Sequence, residues 1–294
     1  MIDILQKMLR LTIATGLFGM LGGCSALQAI SAVSPADGNS TKGIEYSASK
    51  GLKLDIYTPD PATLATNGAP AVIVFFYGGG WESGERSEYR FVASRLTRLG
   101  HIVVIPDYRK YPETLFPGFI EDAADAVNWV SKEIHRFGGE PENIFLAGHS
   151  AGAQIAALLH YDETWLALDA TVQRPCGLIG LSGPYDFLPL VSPTLKAVFP
   201  AELRPASQPI NFVSGTEGPA LLIHGRLDKT VNPRNSTALA ETVKAAGGYA
   251  KLLMYPEEKH ASIVLALASP LAFLAPVVTD IDAFVSANSC VSED

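Results

Sequence analysis

Ile144-Phe145-Leu146-Ala147-Gly148-His149-Ser150-Ala151-Gly152 carries a short apolar run straight into G-x-S-x-G and out into an alanine-rich segment. The order strand, sharp turn, helix is the local shape that lifts a serine hydroxyl out of a sheet edge. Glycines at the two flanking positions let neighbouring backbones pass closely, and the following helix directs its positive end at the turn. A bare G-x-S-x-G carries little weight in a chain with 26 glycines. The strand before it and the helix after it are what single out Ser150.

Outward from this turn the chain alternates strand and helix. Ala71–Tyr77 (AVIVFFY) is a continuous apolar run, as expected of a strand buried on both faces of a parallel sheet. Ile102–Ile105 reads as another buried strand, and further strands are expected over Ile144–Ala147, Gly177–Leu181, Ala220–His224 and Lys251–Tyr255. Between them, Phe119, Ala123, Val127, Val130, Ile134 and Phe137 recur every three or four residues, and Gly138-Gly139 ends that helix. Further helices are expected over Arg90–Leu99, Ala151–His160, Ser236–Ala246 and Val277–Ala287. Two short alternating strands, broken at Lys50-Gly51, occupy Ile44–Tyr57. The alternation predicts an α/β fold with a mostly parallel sheet, right-handed crossovers and helices on both faces. In such a sheet the functional site lies at the carboxyl ends of the strands.

At 294 residues and 48% hydrophobic composition, the chain is long enough for one large core. There are 22 Lys and Arg against 30 Asp and Glu, so a nucleic-acid partner is not expected. The first residues differ from the rest. Lys7 and Arg10 precede an apolar run from Leu11 to Leu21, too short to span a bilayer, and Gly22-Gly23-Cys24-Ser25 follows. This pattern predicts a signal peptide over 1–23. Leu21-Gly22-Gly23-Cys24 resembles the bacterial lipobox, which implies that Cys24 is lipidated and tethers the protein to a membrane. Ser25 after it resembles lipoproteins of the outer membrane, so the expected location is the bacterial cell envelope, on the periplasmic face of that membrane. A small, polar stretch over 24–43 predicts a flexible tether, leaving 44–294 as one domain. Cys176 and Cys290, at a strand start and a helix end, lie on one edge of such a sheet; a disulfide and two free thiols both remain open.

Tyr77-Gly78-Gly79-Gly80-Trp81 ends the strand at Ala71–Tyr77, and its three glycines leave backbone N–H groups able to face a tetrahedral oxyanion. A phosphate cradle is excluded, because no Gly-Lys-Ser/Thr follows. An acid and a base must join Ser150. His260 lies after the last strand, in Glu257-Glu258-Lys259-His260, and suits the base. His101 and His224 sit in or beside strands, where core roles are expected, and His135 and His160 sit on helices expected to face solvent. Asp228, four residues after His224, suits the acid, with Asp186 as its rival.

With these motifs in hand the chain resembles the α/β-hydrolase superfamily. The nearest branch has H-G-G-G-W-type loops and includes hormone-sensitive-lipase-like, acetylxylan and feruloyl esterases and kynurenine formamidases. The resemblance is carried by Tyr77–Trp81, Ile105-Pro106-Asp107-Tyr108-Arg109, Tyr111-Pro112-Glu113 with Phe116-Pro117, Gly148–Gly152 and His224-Gly225-Arg226-Leu227-Asp228. It implies a Ser150–Asp228–His260 triad and oxyanion donors at Gly79, Gly80 and Ala151, with Asp107, Tyr108 and Arg109 bracing the loop. It also implies a cap formed by the insertion at about 183–218, which is Pro-rich and carries Phe187, Leu188, Leu190, Val191, Leu195, Val198 and Phe199. Tyr77 departs from the family's histidine at the head of the loop, and His149 gives G-H-S-A-G where the lipase-like group has G-D-S-A-G.

The activity expected from these readings is hydrolysis of small short-acyl esters through an acyl-enzyme, with no cofactor and no metal. A formamidase using the same triad and a catalytically silent, lipid-anchored binding protein on the same fold are the competing expectations.

Overall fold

A computed structural model describes residues 26–34, 38–63, 70–166 and 173–291. The signal segment 1–23 and Cys24 lie outside the described residues. Eight strands form one sheet: β1 (Asn39–Ser47), β2 (Leu52–Thr58), β3 (Val72–Phe76), β4 (Ile102–Pro106), β5 (Ile144–His149), β6 (Gly177–Leu181), β7 (Ala220–Gly225) and β8 (Ala250–Tyr255). Their order across the sheet is β1-β2-β4-β3-β5-β6-β7-β8. β2 pairs antiparallel with β1 and with β4, and every other neighbouring pair is parallel. Every residue of β3, β4, β5, β6 and β7 is buried, which is why these strands read as unbroken apolar runs and not as alternation.

The helices between them are α2 (Arg90–Thr97), α3 (Gly118–Glu133), α4 (Ala151–Tyr161), α6 (Arg234–Ala245) and α8 (Val277–Ala287), with shorter α1 (Ala26–Val33), α5 (Pro193–Val198) and α7 (His260–Leu265). From β3 the chain moves to one side of the sheet, and from β5 it moves to the other. Diverging crossovers leave a crevice beyond the carboxyl ends of β3 and β5, where the sequence places Gly78–Trp81 and Ser150.

The start of the domain differs from the expectation of a tether over 24–43. Among the described residues α1 packs on the body of the protein, and β1 begins at Asn39. Ile30 is buried, the Ser31 hydroxyl donates to the Glu88 carbonyl at 2.6 Å, and Arg90 donates to the Ser34 carbonyl at 2.9 Å. The small residues that read as a linker are those a short helix needs to lie close against its neighbour. At the far end of the chain a disulfide joins Cys176 to Cys290, with Cα atoms 5.8 Å apart, and fastens the end of α8 to the start of β6. Among the described residues no helix is long and apolar enough to cross a membrane.

Candidate active site

Ser150 occupies the turn between β5 and α4 at φ 55° and ψ −123°, a conformation that side chains rarely adopt. Packing on both sides of the turn enforces it. The Ser150 N–H donates to the Leu181 carbonyl at 2.9 Å, holding the turn to β6. A Cβ on Gly152 would lie 2.0 Å from the Phe76 carbonyl oxygen, so only glycine lets α4 approach β3 this closely. Ala151 is the first residue of α4, and the turn therefore faces the positive end of that helix.

His260 and Asp228 arrive from two other strand ends. His260 Nε2 lies 2.9 Å from Ser150 Oγ, and His260 Nδ1 lies 2.7 Å from Asp228 Oδ2. His260 is the first residue of α7 and does not sit in an open loop before the last helix. The Asp228 carboxyl is fully enclosed. Its Oδ1 accepts the Thr230 and Val231 N–H groups at 2.8 and 2.9 Å, and its Oδ2 faces His224 Nε2 at 3.1 Å as well as His260. Burial alone pushes this carboxyl up, but hydrogen bonds from His224, His260 and Val231 outweigh it and hold the group well below the ordinary carboxylate range. Asp228 is thus a fixed anion. Asp186 sits apart from this chain, 3.7 Å from Arg234 on the wall of the cleft.

The other histidines fall into place around this. His224 is buried as expected, yet it also contacts the acid. Because its Nε2 faces two acceptors, Asp228 and the Val231 carbonyl, that nitrogen carries the proton, and Nδ1 accepts from the Ser236 hydroxyl at 2.8 Å. The i, i+4 spacing of His224 and Asp228 was the available signal. His101 is buried beside Asp282 at 3.1 Å, and His135 is exposed. His160 departs from the expectation of a solvent-facing residue. It is buried, with Nε2 at 3.0 Å from the Gly218 carbonyl, and burial pushes it down to about 4. Every residue of α4 is buried, so that helix has no solvent face to offer.

The glycine loop stands opposite. Gly79 takes φ 135° and Gly80 φ 64°, and a Cβ on Gly79 would lie 2.1 Å from the Ser83 carbonyl oxygen. The Glu82 and Ser83 N–H groups both donate to the Gly79 carbonyl, at 3.1 and 3.0 Å, closing the turn. Among the described residues, no acceptor takes the backbone N–H of Gly79, Gly80 or Ala151.

Tyr77, which stands where the resembling family has a histidine, holds this loop by its own means. Its ring is buried between Tyr108 (4.6 Å) and Tyr89 (5.7 Å), and its hydroxyl donates to Asp107 at 2.9 Å. The Tyr108 hydroxyl donates back to the Tyr77 carbonyl at 2.7 Å. Arg86 bridges Asp107 and Asp55, while Arg109 pairs with Asp122 at 2.7 Å. Asp107 and Tyr108 thus brace the loop, whereas Arg109 ties the chain that follows to α3. Trp81 extends the frame: its Nε1–H donates to Gln154 of α4 at 3.1 Å, and Gln154 donates to the Ser207 carbonyl at 2.8 Å.

A cleft of about 600 Å³ opens at Ser150, Gly80 and Trp81. The insertion between β6 and β7 supplies its apolar wall through Phe187, Leu188, Leu190, Val191 and Leu195. Val198 and Phe199 turn inward instead and are fully buried, with Phe199 packing edge-on against Trp81 at 4.9 Å. The opposite wall is polar, with Thr230, Asn232 and Arg234. Asn235 fixes the insertion in place, accepting the Tyr185 and Asp186 N–H groups at 2.8 Å each.

Sheet order, serine turn and enclosed His–Asp pair define a hydrolase scaffold: the chain has the α/β-hydrolase fold. A family described as alpha/beta hydrolase fold matches residues 73–197, and the prolyl oligopeptidase family matches residues 195–278. Among curated relatives, the chain is 27% identical over 247 residues to the isoprenylcysteine alpha-carbonyl methylesterase ICME of Arabidopsis thaliana, covering 76% of this chain and 57% of that protein. It is 31% identical over 231 residues to the esterase LipQ of Mycobacterium tuberculosis, covering 71% and 53%. The chain spans about half the length of the curated relatives it matches. Esterase 2 of Thermogutta terrifontis has the same fold, at a TM-score of 0.73 and 23% identity over 87% of this chain and 97% of that one. A truncated carbohydrate esterase from gut microbiota superposes equally well, at 0.73 and 20%, over 87% and 98%.

Proposed function

We propose that the chain is a serine carboxylic-ester hydrolase. The observation that carries this is the unbroken line Ser150 Oγ, His260 Nε2, His260 Nδ1, Asp228 Oδ2, with contacts of 2.9 and 2.7 Å, opening onto a cleft beside the glycine loop. Asp228 holds Nδ1–H, so Nε2 carries the lone pair and takes the serine proton. Ser150 Oγ bonds to the ester carbonyl carbon, and the oxyanion is held by the N–H groups of Gly79, Gly80 and Ala151. The alkoxy bond breaks, His260 returns the proton to the departing alcohol, and water then attacks the acyl-enzyme by the same route. Two of the relatives, a methylesterase and an esterase, support this reading by their names.

The substrates are small esters with a short acyl group. The serine shares the cleft with the closely packed Trp81, and the insertion wall offers apolar contact for a modest alkyl or aryl group. Reaction with a fluorophosphonate probe at Ser150, together with p-nitrophenyl esters of increasing acyl length, tests this. Labelling and fastest turnover on acetate or butyrate are expected. No labelling would leave a silent binding protein, and faster turnover of N-formylkynurenine than of any ester would make it a formamidase.

We further propose that residues 1–23 are removed, that Cys24 is lipidated, and that the enzyme acts from the periplasmic face of an outer membrane. The supporting feature is the basic, apolar, Leu-Gly-Gly-Cys order of the first residues. Incorporation of labelled palmitate in a bacterial host, abolished by Cys24→Ser, is the expected result; equal labelling of both forms would overturn it.

A further inference from the structure

His149, which precedes the serine in the turn, has no part in the reaction described above, yet its side chain touches both halves of the site. It is buried, and its Nε2 lies 3.2 Å from the backbone carbonyl of His260. A carbonyl can only accept, so Nε2 carries the proton and Nδ1 is a bare lone pair. Nδ1 is buried without a hydrogen-bond partner among the described residues. A Cβ added to Gly78, at the root of the glycine loop, would lie 3.0 Å from that nitrogen. The His149 ring stands 4.8 Å from the His260 ring, tilted by 41°. Burial, and then the neighbouring His260 when charged, push His149 down to about 3. It therefore remains neutral wherever His260 acts as a base and does not compete for the serine proton.

We propose that His149 is a positioning residue: its Nε2–H pins the His260 carbonyl at the head of α7, and its ring spaces that carbonyl from Gly78 beneath the glycine loop. Nothing else described reaches from the turn to the His260 backbone. The imidazole of His260 hangs from the first residue of α7, where the Lys259–Ser262 cap ties the preceding residue but the His260 N–H has no partner within the helix. Without the pin, Nε2 can drift from Ser150 Oγ, and a displacement of about 1 Å is enough to cost roughly 100-fold in rate. The inference rests on the serine-hydrolase reading.

Three variants and the wild type test it. His149→Gln places an amide N–H near the Nε2 position, whereas His149→Phe and His149→Leu fill the space without a donor. Each is assayed with p-nitrophenyl acetate across pH, by the rate of fluorophosphonate labelling and by thermal melting. The expected result for either donorless variant is a 10- to 100-fold loss in kcat and in labelling rate, with KM within about twofold and the acid limb of kcat/KM displaced. His149→Gln should stay within about threefold of wild type. Donorless variants as fast as wild type would overturn the proposal. So would a His149→Gln variant as slow as the donorless ones, or donorless variants that fail to fold while His149→Gln folds, since each makes the histidine a packing element. Wild-type protein that does not react with the probe would instead overturn the hydrolase reading, and the positioning role with it.

Discussion

A Ser150→Ala variant is expected to lose about 10⁴-fold or more in kcat on p-nitrophenyl acetate, with little change in KM or in folding. Only the oxygen is removed. The Ser150 N–H bond to Leu181 stays, as do the glycine contacts that enforce the turn. A rate persists because the Gly79, Gly80 and Ala151 amides would still stabilise an oxyanion formed by attack of water, a residue of catalysis that such sites retain. Thermal stability should be unchanged or slightly higher, because a half-exposed hydroxyl placed for reaction is not placed for stability. The measurement is a steady-state assay beside a melt of the same preparation. A variant that keeps the wild-type rate would remove Ser150 from the chemistry and with it the acyl-enzyme.

Much of this arrangement was legible in the sequence because its signals are local. A short apolar run with no alternation, bounded by turn residues, fits a strand covered on both faces; β3, β6 and β7 lie within a residue of those runs, and β5 runs two residues further than expected, to His149. Gly148, Ser150 and Gly152 announce a turn by their spacing alone, although the close contact that demands glycine at position 152 is with the distant Phe76 carbonyl. Ser150, His260 and Asp228 could be named because strand ends in a doubly wound sheet converge on one edge. What was not legible depends on which distant side chain fills a given space. That Tyr77 would find Asp107, that His149 would meet the carbonyl of a residue 111 positions away, and that His160 would be sealed under Gly218 are facts of packing without period or motif. The packing of α1 was hidden for a related reason. A short helix of mostly small residues, set in a Ser-, Ala- and Gly-rich stretch, is masked by the composition of a linker, and what distinguishes the two is the surface waiting for it, here the turn at Arg86–Tyr89.

The second large effect falls on Asp228. Asp228→Asn should lower kcat by about 10⁴-fold while leaving the backbone in place, and the reason is the direction of four hydrogen bonds. In the native site Oδ1 accepts two backbone N–H groups, from Thr230 and Val231, so the amide oxygen of asparagine must take that position. Its NH₂ then replaces Oδ2 and meets His224 Nε2 and His260 Nδ1. His224 Nε2 is held as a donor by the Val231 carbonyl on one side and the Ser236 hydroxyl on Nδ1. His260 is freer. It responds by moving its proton to Nε2, where it blocks acceptance of the serine proton. Stability should also fall, by about 2 to 3 kcal/mol at pH 7, because buried donors lose a charged acceptor. The pH dependence fixes the cause. A carboxyl held below its unfolded value of about 4 contributes stability that is complete above that pH and is lost as pH falls further. The gap between wild type and Asp228→Asn in urea unfolding should therefore be widest near neutrality and narrow below about pH 4. A gap independent of pH, or a kcat within tenfold of wild type, would mean that Asp228 is not the anion that holds the base.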